Sequence, residues 1–461
     1  CTLTEPEAGT MQTARQSLVL SALIAVLLIA VFTVSLGPVI NNGDYWRVNG
    51  SMWIDIREWT QPPRVVPLGA EQAFLRPESP AGLLGMMLAG AHRLVGATGF
   101  SVALWFVVLS SIYWSGAIAH LTALAGRMRA TCLLLFALFY ATFCGFFYSF
   151  FEESFTIAIL PWLLFAADPR RFNIWIFSAL CVLLLTSKSQ AIFFFPVLAF
   201  YAWRGIRARG RPLWTGLVFL LLCGAAIAAT LHKSHPVPNS YNRLFNGLGW
   251  TTMQVEDWPA TQFSQRLAYF SANREALALP GPVTCVPGAQ RLMGTTFWPT
   301  GQEILDAAET SDAAATQAET LLSLGLSEFA ACLGEVTSPA EYLATTFEVA
   351  MGSDYRLEYI ALGGPRGENS LIGKLQSVLL ARLAPVMLAV LLIVALVSAS
   401  PSGVIVAIYA FGAAPLFVIL GDGFYEFEKH MMPHLAFLLI PAIELLRRRF
   451  SAPEPTTPRA A

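Results

Sequence analysis

Apolar positions along this chain are gathered into long runs that carry almost no charge. Each run has the length that a helix needs to cross a bilayer core, about 20 residues. The first, Gln16 to Pro38, is too long for a signal-peptide core and has no clear small-residue cleavage site behind it, so it is read as an uncleaved span. Further spans are predicted at 99–124, 131–150, 154–167, 172–187, 189–203, 213–231, 376–398, 403–420 and 431–446, which makes ten in all. Residues 79–98 are apolar but contain His92 and Arg93, and an interfacial helix in the first outside loop suits them better than a span.

Basic residues orient this pattern. With Arg15 inside, alternation of ten spans brings Arg127 and Arg129, then Arg170 and Arg171, then Arg204 to Arg211, and finally Arg447 to Arg449, onto the cytoplasmic side. Four short basic clusters on one face are what the positive-inside rule requires. Merging 172–203 into one crossing, or counting 79–98 as a full span, moves later clusters to the wrong side.

The expected architecture is therefore an all-α polytopic membrane protein. Residues 1–16 are a cytoplasmic leader, 17–231 hold spans one to seven, and 232–375 form a mainly helical outside insert. Residues 376–446 hold the last three spans, and 447–461 are a cytoplasmic tail. In the insert, Thr300-Gly301-Gln302-Glu303 and Ser338-Pro339-Ala340-Glu341 both read as capping boxes, with a hydroxyl and a glutamate exchanging bonds across the first turn.

Composition sharpens the class. Of 461 residues, 55% are hydrophobic and 13% are charged, about half the charged share of a soluble chain. The mean hydropathy is +0.57. A soluble globular enzyme, a disordered chain and a disulfide-stapled secreted module are excluded. The formal net charge of −1 gives no electrostatic case for nucleic acid. Cys132, Cys144, Cys181 and Cys223 lie in apolar runs, whereas Cys285 and Cys332 share the insert and have the option of a disulfide in an oxidising compartment.

The polar chemistry is one-sided. Asp44 follows the first span within Asn41-Asn42-Gly43-Asp44-Tyr45-Trp46-Arg47, as a general base, a metal ligand or simply a turn residue. Glu152 and Glu153 lie between two apolar runs with almost no loop, either pointing to water or buried together, where mutual repulsion calls for a cation. Lys188, in the turn Ser187-Lys188-Ser189-Gln190 between two short spans, needs an anion: one of those glutamates, a ligand phosphate or lipid headgroups. Arg243 follows the seventh span and is a second candidate for phosphate. In Gly421 to His434, Glu426 and His430 share a helical face, and Lys429 and His430 are placed for a phosphate. His430 and His434 have metal-ligand spacing without a zincin glutamate, so the metal is undetermined and a divalent cation is left open.

This ordered set resembles the multi-pass glycosyltransferases of the C-type fold, which use polyprenyl-phosphate-linked sugars. Closer still, the Ser187 to Gln190 turn and the Asp422 to His430 stretch look like bacterial surface-glycan hexosyltransferases of that group. The resemblance covers roughly 17–250 and 376–446. It implies a catalytic base at Asp44, a second acidic site at Glu152 and Glu153, and donor-phosphate contacts from Lys188, Arg243, Lys429 and His430, with Glu426 a further substrate-binding residue. It also implies a glycan or lipid acceptor, contact with membrane lipids, a plasma-membrane location and an extracytoplasmic active site. The usual Asp/Glu-x-Asp pair is absent from the first loop, and no Trp-Trp-Asp signature of protein N-glycosylation is present. The rival class is a transporter or lipid flippase with an outward-facing charged gate, which predicts charge deep inside spans. A non-catalytic envelope scaffold is the third.

Overall fold

A computed structural model describes residues 8–36, 48, 65–68, 79–124, 126–233, 236–248, 285, 301–308, 319, 322, 324–352, 371, 374, 405, 409, 421 and 427–450. The chain is mostly helical. Its long helices are α1 (Ala8–Ser35), α2 (Pro80–Leu94), α3 (Val102–Leu121), α4 (Gly126–Phe143), α5 (Glu152–Ala166), α6 (Ile174–Leu185), α7 (Phe195–Ala208) and α8 (Leu213–Lys233). The shorter α9 (Pro236–Tyr241) and α10 (Gln302–Ala307) follow. Then come α11 (Leu326–Val336), α12 (Pro339–Gly352), α13 (Phe427–Ala436) and α14 (Leu439–Phe450).

Five of the described segments are long and apolar enough to cross a membrane: Gln16–Ser35, Val102–Leu121, Gly126–Tyr148, Ser189–Ala208 and Leu213–Leu231. Ile174–Leu185 is apolar but shorter. Val19, Leu23 and Val26 on α1, Trp175 and Ile176 on α6, and Leu217 and Leu221 on α8 keep their side chains exposed. Such an apolar belt is stable only against lipid. The predicted spans 376–398 and 403–420 lie outside the described residues apart from Ile405 and Tyr409.

Several details depart from expectation. Helix α1 begins at Ala8, within the stretch read as a leader, and its spanning part is Gln16–Ser35. The all-α expectation misses a small antiparallel ribbon, β1 (Val65–Pro67) with β2 (Gly99–Ser101), which pairs Val66 with Phe100. Two β-branched valines favour it, and Pro67, which has no amide proton, is the last residue of β1. The interfacial segment is helical only over α2, whose small residues Ala81, Gly82, Gly85 and Ala89 are buried. Helix α10 starts at Gln302 behind Gly301, which offers no side-chain cap, and Thr300 of the predicted capping box lies outside the described residues. The last span is broken, since α13 and α14 are separated by Phe437 and Leu438, with Pro433 and Pro441 nearby. A proline removes one helical hydrogen bond and crowds the preceding turn.

Other expectations hold. Ser338 Oγ accepts from the Glu341 amide at 3.2 Å while Glu341 Oε2 accepts from the Ser338 amide at 2.9 Å. The Ser338 amide first, and then the Ser338 and Thr337 hydroxyls that also donate to this carboxylate, hold the Glu341 carboxyl below its usual range. Cys285 and Cys332 are joined by a disulfide with a Cα separation of 5.1 Å.

The helices α3 and α5 make the closest pair in the bundle. Trp162 Nε1 donates to the Ile112 carbonyl at 3.0 Å. A Cβ at Gly116 would lie 2.7 Å from the Trp162 backbone nitrogen, so only glycine permits this approach. Replacing Gly116 by Ala is expected to cost about 1–3 kcal/mol through overpacking. A drop in the thermal midpoint of detergent-solubilised protein would show it, and an unchanged midpoint would mean that the two helices do not approach so closely.

Side-chain bonds fix the direction of each helix. At one end of the bundle, Arg129 of α4 donates to the Leu124 carbonyl at 2.7 Å and pairs with Ser17 of α1. Arg171 reaches Thr122 at 2.9 Å, and Arg447 of α14 pairs with Asp168 at 2.6 Å. Arg204 of α7 pairs with Glu444, which also accepts from Tyr201 at 2.8 Å. Members of all four predicted basic clusters therefore meet at one end. At the opposite end Tyr148 donates to the Thr33 carbonyl at 2.6 Å and Trp105 to the Ser149 carbonyl at 2.9 Å.

Candidate functional site

Away from the arginine-bearing end, three segments distant in sequence converge on one carboxylate. The first is α5. Its N-cap, Phe151, offers no side-chain bond, and Glu152 and Glu153 occupy the first turn, where a carboxylate is favoured by the positive end of the helix. Neither points to water: Glu152 is 6% exposed and Glu153 is 2% exposed.

The second segment is the break between α6 and α7. After Thr186 closes α6, Ser187 continues the turn, Lys188 is extended, and a 3₁₀ turn, Ser189–Phe194, leads into α7. Ser187 and Thr156 share a hydroxyl–hydroxyl bond at 2.8 Å. Thr156 is three residues beyond Glu153 and so lies on the same face of α5. This bond brings the turn onto the carboxylate: Lys188 Nζ donates to Glu153 Oε1 at 2.5 Å, with Lys188 itself only 7% exposed.

The third is α13. His430 Nδ1 lies 3.6 Å from the same Glu153 Oε1, and His430 is 3% exposed. One turn along, His434 Nδ1 meets the Tyr409 hydroxyl at 3.0 Å. The His434 ring also stacks on Phe194 with centroids 4.7 Å apart. Phe194 ends the 3₁₀ turn that Lys188 begins, so this aromatic layer forms a floor beneath the charged cluster.

Depth follows from α5. Glu153 and Asp168 bracket this helix, and 15 residues at about 1.5 Å each place them roughly 22 Å apart. A bilayer core is about 30 Å thick. The Glu153–Lys188–His430 cluster therefore lies inside the slab whenever Asp168 sits at its far boundary. Burying charges is costly, and they persist there when each carboxylate and cation has a partner.

Of the residues singled out in the sequence, Glu153, Lys188 and His430 are brought together, and Glu152 adjoins them on α5. Arg243 lies on a buried π-helical turn, Asn242–Gly247, which packs against α11 of the insert. Lys429 lies on α13 but its side chain is outside the description, and Asp44 and Glu426 are outside the described residues. Among the described residues no group of three or more histidine, cysteine or acidic side chains is placed to hold a metal ion. Sequence reasoning missed the Thr156–Ser187 bond and the Tyr409 partner of His434. It also missed Asp168 and Glu444, whose only sequence signal is an isolated carboxylate beside an arginine cluster.

Comparison with known proteins gives no match: no family model, no curated protein and no solved structure is significantly similar to this chain.

Proposed function

We propose that the chain is a membrane hexosyltransferase that moves a sugar from a polyprenyl-phosphate carrier to a glycan or lipid acceptor at the extracytoplasmic face of the plasma membrane. The observation that carries this reading is the Glu153–Lys188–His430 cluster at the bundle end opposite the arginines. A lipid-linked donor presents an anomeric carbon whose leaving group is already a phosphate. Stabilising that leaving group needs cations held in a dry site, where their field is strong. Glu153 fixes the Lys188 ammonium in place, and His430 supplies a second nitrogen beside it. Lys429, on α13, and Glu426, which precedes it, are assigned to the same donor site. Asp44, the carboxylate that follows the first span, is assigned the role of base for the acceptor hydroxyl.

The test is sugar transfer from a synthetic polyprenyl-phosphate hexose in proteoliposomes. Asp44→Asn is expected to lower the rate by about 10²–10⁴, the usual contribution of a general base, with donor binding intact. Full transfer by this variant would remove Asp44 from the mechanism.

One observation favours a second reading, transport. His434 is a helical turn further in than His430, about 6 Å towards mid-membrane, and is 1% exposed. Against transport stands the continuous apolar stretch Leu435 to Ile440, buried between His434 and Glu444. It separates the polar groups at the two ends, whereas a transporter binds its cargo at a midplane site open to each side in turn. Accumulation of intact donor or free sugar inside the vesicles, with no new glycosidic bond, would decide for transport.

A further inference from the structure

Arg243 has surroundings built by the insert as well as by the bundle. Its π-helical turn follows α9, and Tyr241, Asn242, Leu244 and Phe245 around it are almost wholly buried. A π turn is a wide, poorly packed backbone form, found mostly where function has required it. The turn packs against α11. On the neighbouring helix α12, Tyr342 is 2% exposed and lies within electrostatic reach of Arg243.

The α11–α12 hairpin has a small core. Phe329 and Tyr342 pack edge-on with centroids 5.6 Å apart, and Cys332 is fully buried. The Cys285–Cys332 bond ties α11 to an earlier part of the insert; it closes a loop of 47 residues, restricts the unfolded chain, and is backed by a hydrogen bond from the Cys285 amide to Glu335 at 2.9 Å.

We infer that the α11–α12 hairpin, tied through α11 to Cys285, is a redox-dependent cap that positions Arg243, so that the site is complete only when Cys285 and Cys332 are oxidised. The inference rests on the transferase reading in assigning Arg243 to the donor phosphate. The capping itself does not depend on that assignment. Arg243 is the ligand-contacting group, and the two cysteines act through it.

The experiment uses the full chain in proteoliposomes, with and without a phosphine reductant, beside the double variant Cys285→Ser/Cys332→Ser. The phosphine splits the S–S bond into two thiols and becomes a phosphine oxide, with water supplying the oxygen and both protons. Mass measurement after alkylation verifies the cleavage. Two readouts are followed: backbone hydrogen exchange over 241–248 and 326–346, and KM and kcat for the polyprenyl-phosphate hexose. Reduction is expected to speed exchange in both segments and to raise donor KM about tenfold, as for loss of one hydrogen bond to a charge, with kcat little changed. Arg243→Ala should raise KM similarly in the oxidised protein and add nothing in the reduced one. Unchanged exchange at 241–248 after verified cleavage would overturn the cap. Faster exchange in a protein that transfers no sugar in any form would uphold the cap and count against the transferase reading alone.

Discussion

Lys188→Ala is expected to destabilise the protein by about 3–5 kcal/mol and to abolish sugar transfer. The magnitude is that of leaving one member of a buried ion pair without its counter-charge. Glu153 is 2% exposed and takes the Lys188 ammonium on Oε1, and water cannot replace a lost cation at that depth. Removing both charges separates structure from chemistry. Lys188→Met with Glu153→Gln takes away the unpaired carboxylate, and much of the stability should return, since a buried pair replaced by neutral groups of similar size is often no less stable. Transfer should stay lost, because the phosphate has no cation to meet. Denaturant titration in detergent measures the first quantity and donor turnover the second. Recovery of turnover in the double variant would make the pair a structural staple alone.

The second large effect is expected at the other end of α5. Arg447→Ala leaves Asp168, which is 4% exposed, without the guanidinium that pairs with it at 2.6 Å. The loss should again be about 3–5 kcal/mol at neutral pH. Its pH dependence carries a definite sign. Burial pushes the Asp168 carboxyl upward, but the Arg447 guanidinium and the Arg170 amide together hold it below its ordinary value of 3.8. A group depressed in the folded state stabilises the protein above its unfolded pKa and loses that contribution as pH falls through the folded one. The gap between wild type and variant should therefore be widest at neutral pH and close as the pH drops below about 4. A gap that stays constant from pH 7 to pH 3, measured by thermal unfolding, would mean that Arg447 acts by packing rather than by charge.

Both variants probe the same broken segment. His430 near its start faces Glu153, and Glu444 and Arg447 near its end pair with Arg204 and Asp168. Held at both ends and broken at Phe437 and Leu438, it can adjust locally at the break while its ends stay in register with α5. The His434–Phe194–Tyr409 layer sits just on the outer-cluster side of that break.

What the sequence determined by itself is what depends on neighbours along the chain. Apolar runs of spanning length, basic clusters between them, the Ser338–Glu341 cap and the pairing option for Cys285 and Cys332 are all local or compositional signals; five of the predicted spans, the gathering of the basic clusters at one end, the cap and the disulfide are found among the described residues. Tertiary structure alone decided which polar groups meet. Helices α3 and α5 are apolar on every side, so no stripe in their sequence marks the face that will touch a neighbour. Lys188 had two adjacent glutamates to choose from, and the Thr156–Ser187 bond selects Glu153 by setting the rotation of the turn against α5. Arg447 and Asp168 are separated by 279 residues, a pairing that no local pattern encodes. Hydropathy says which segments leave water; only packing says which buried charges neutralise one another.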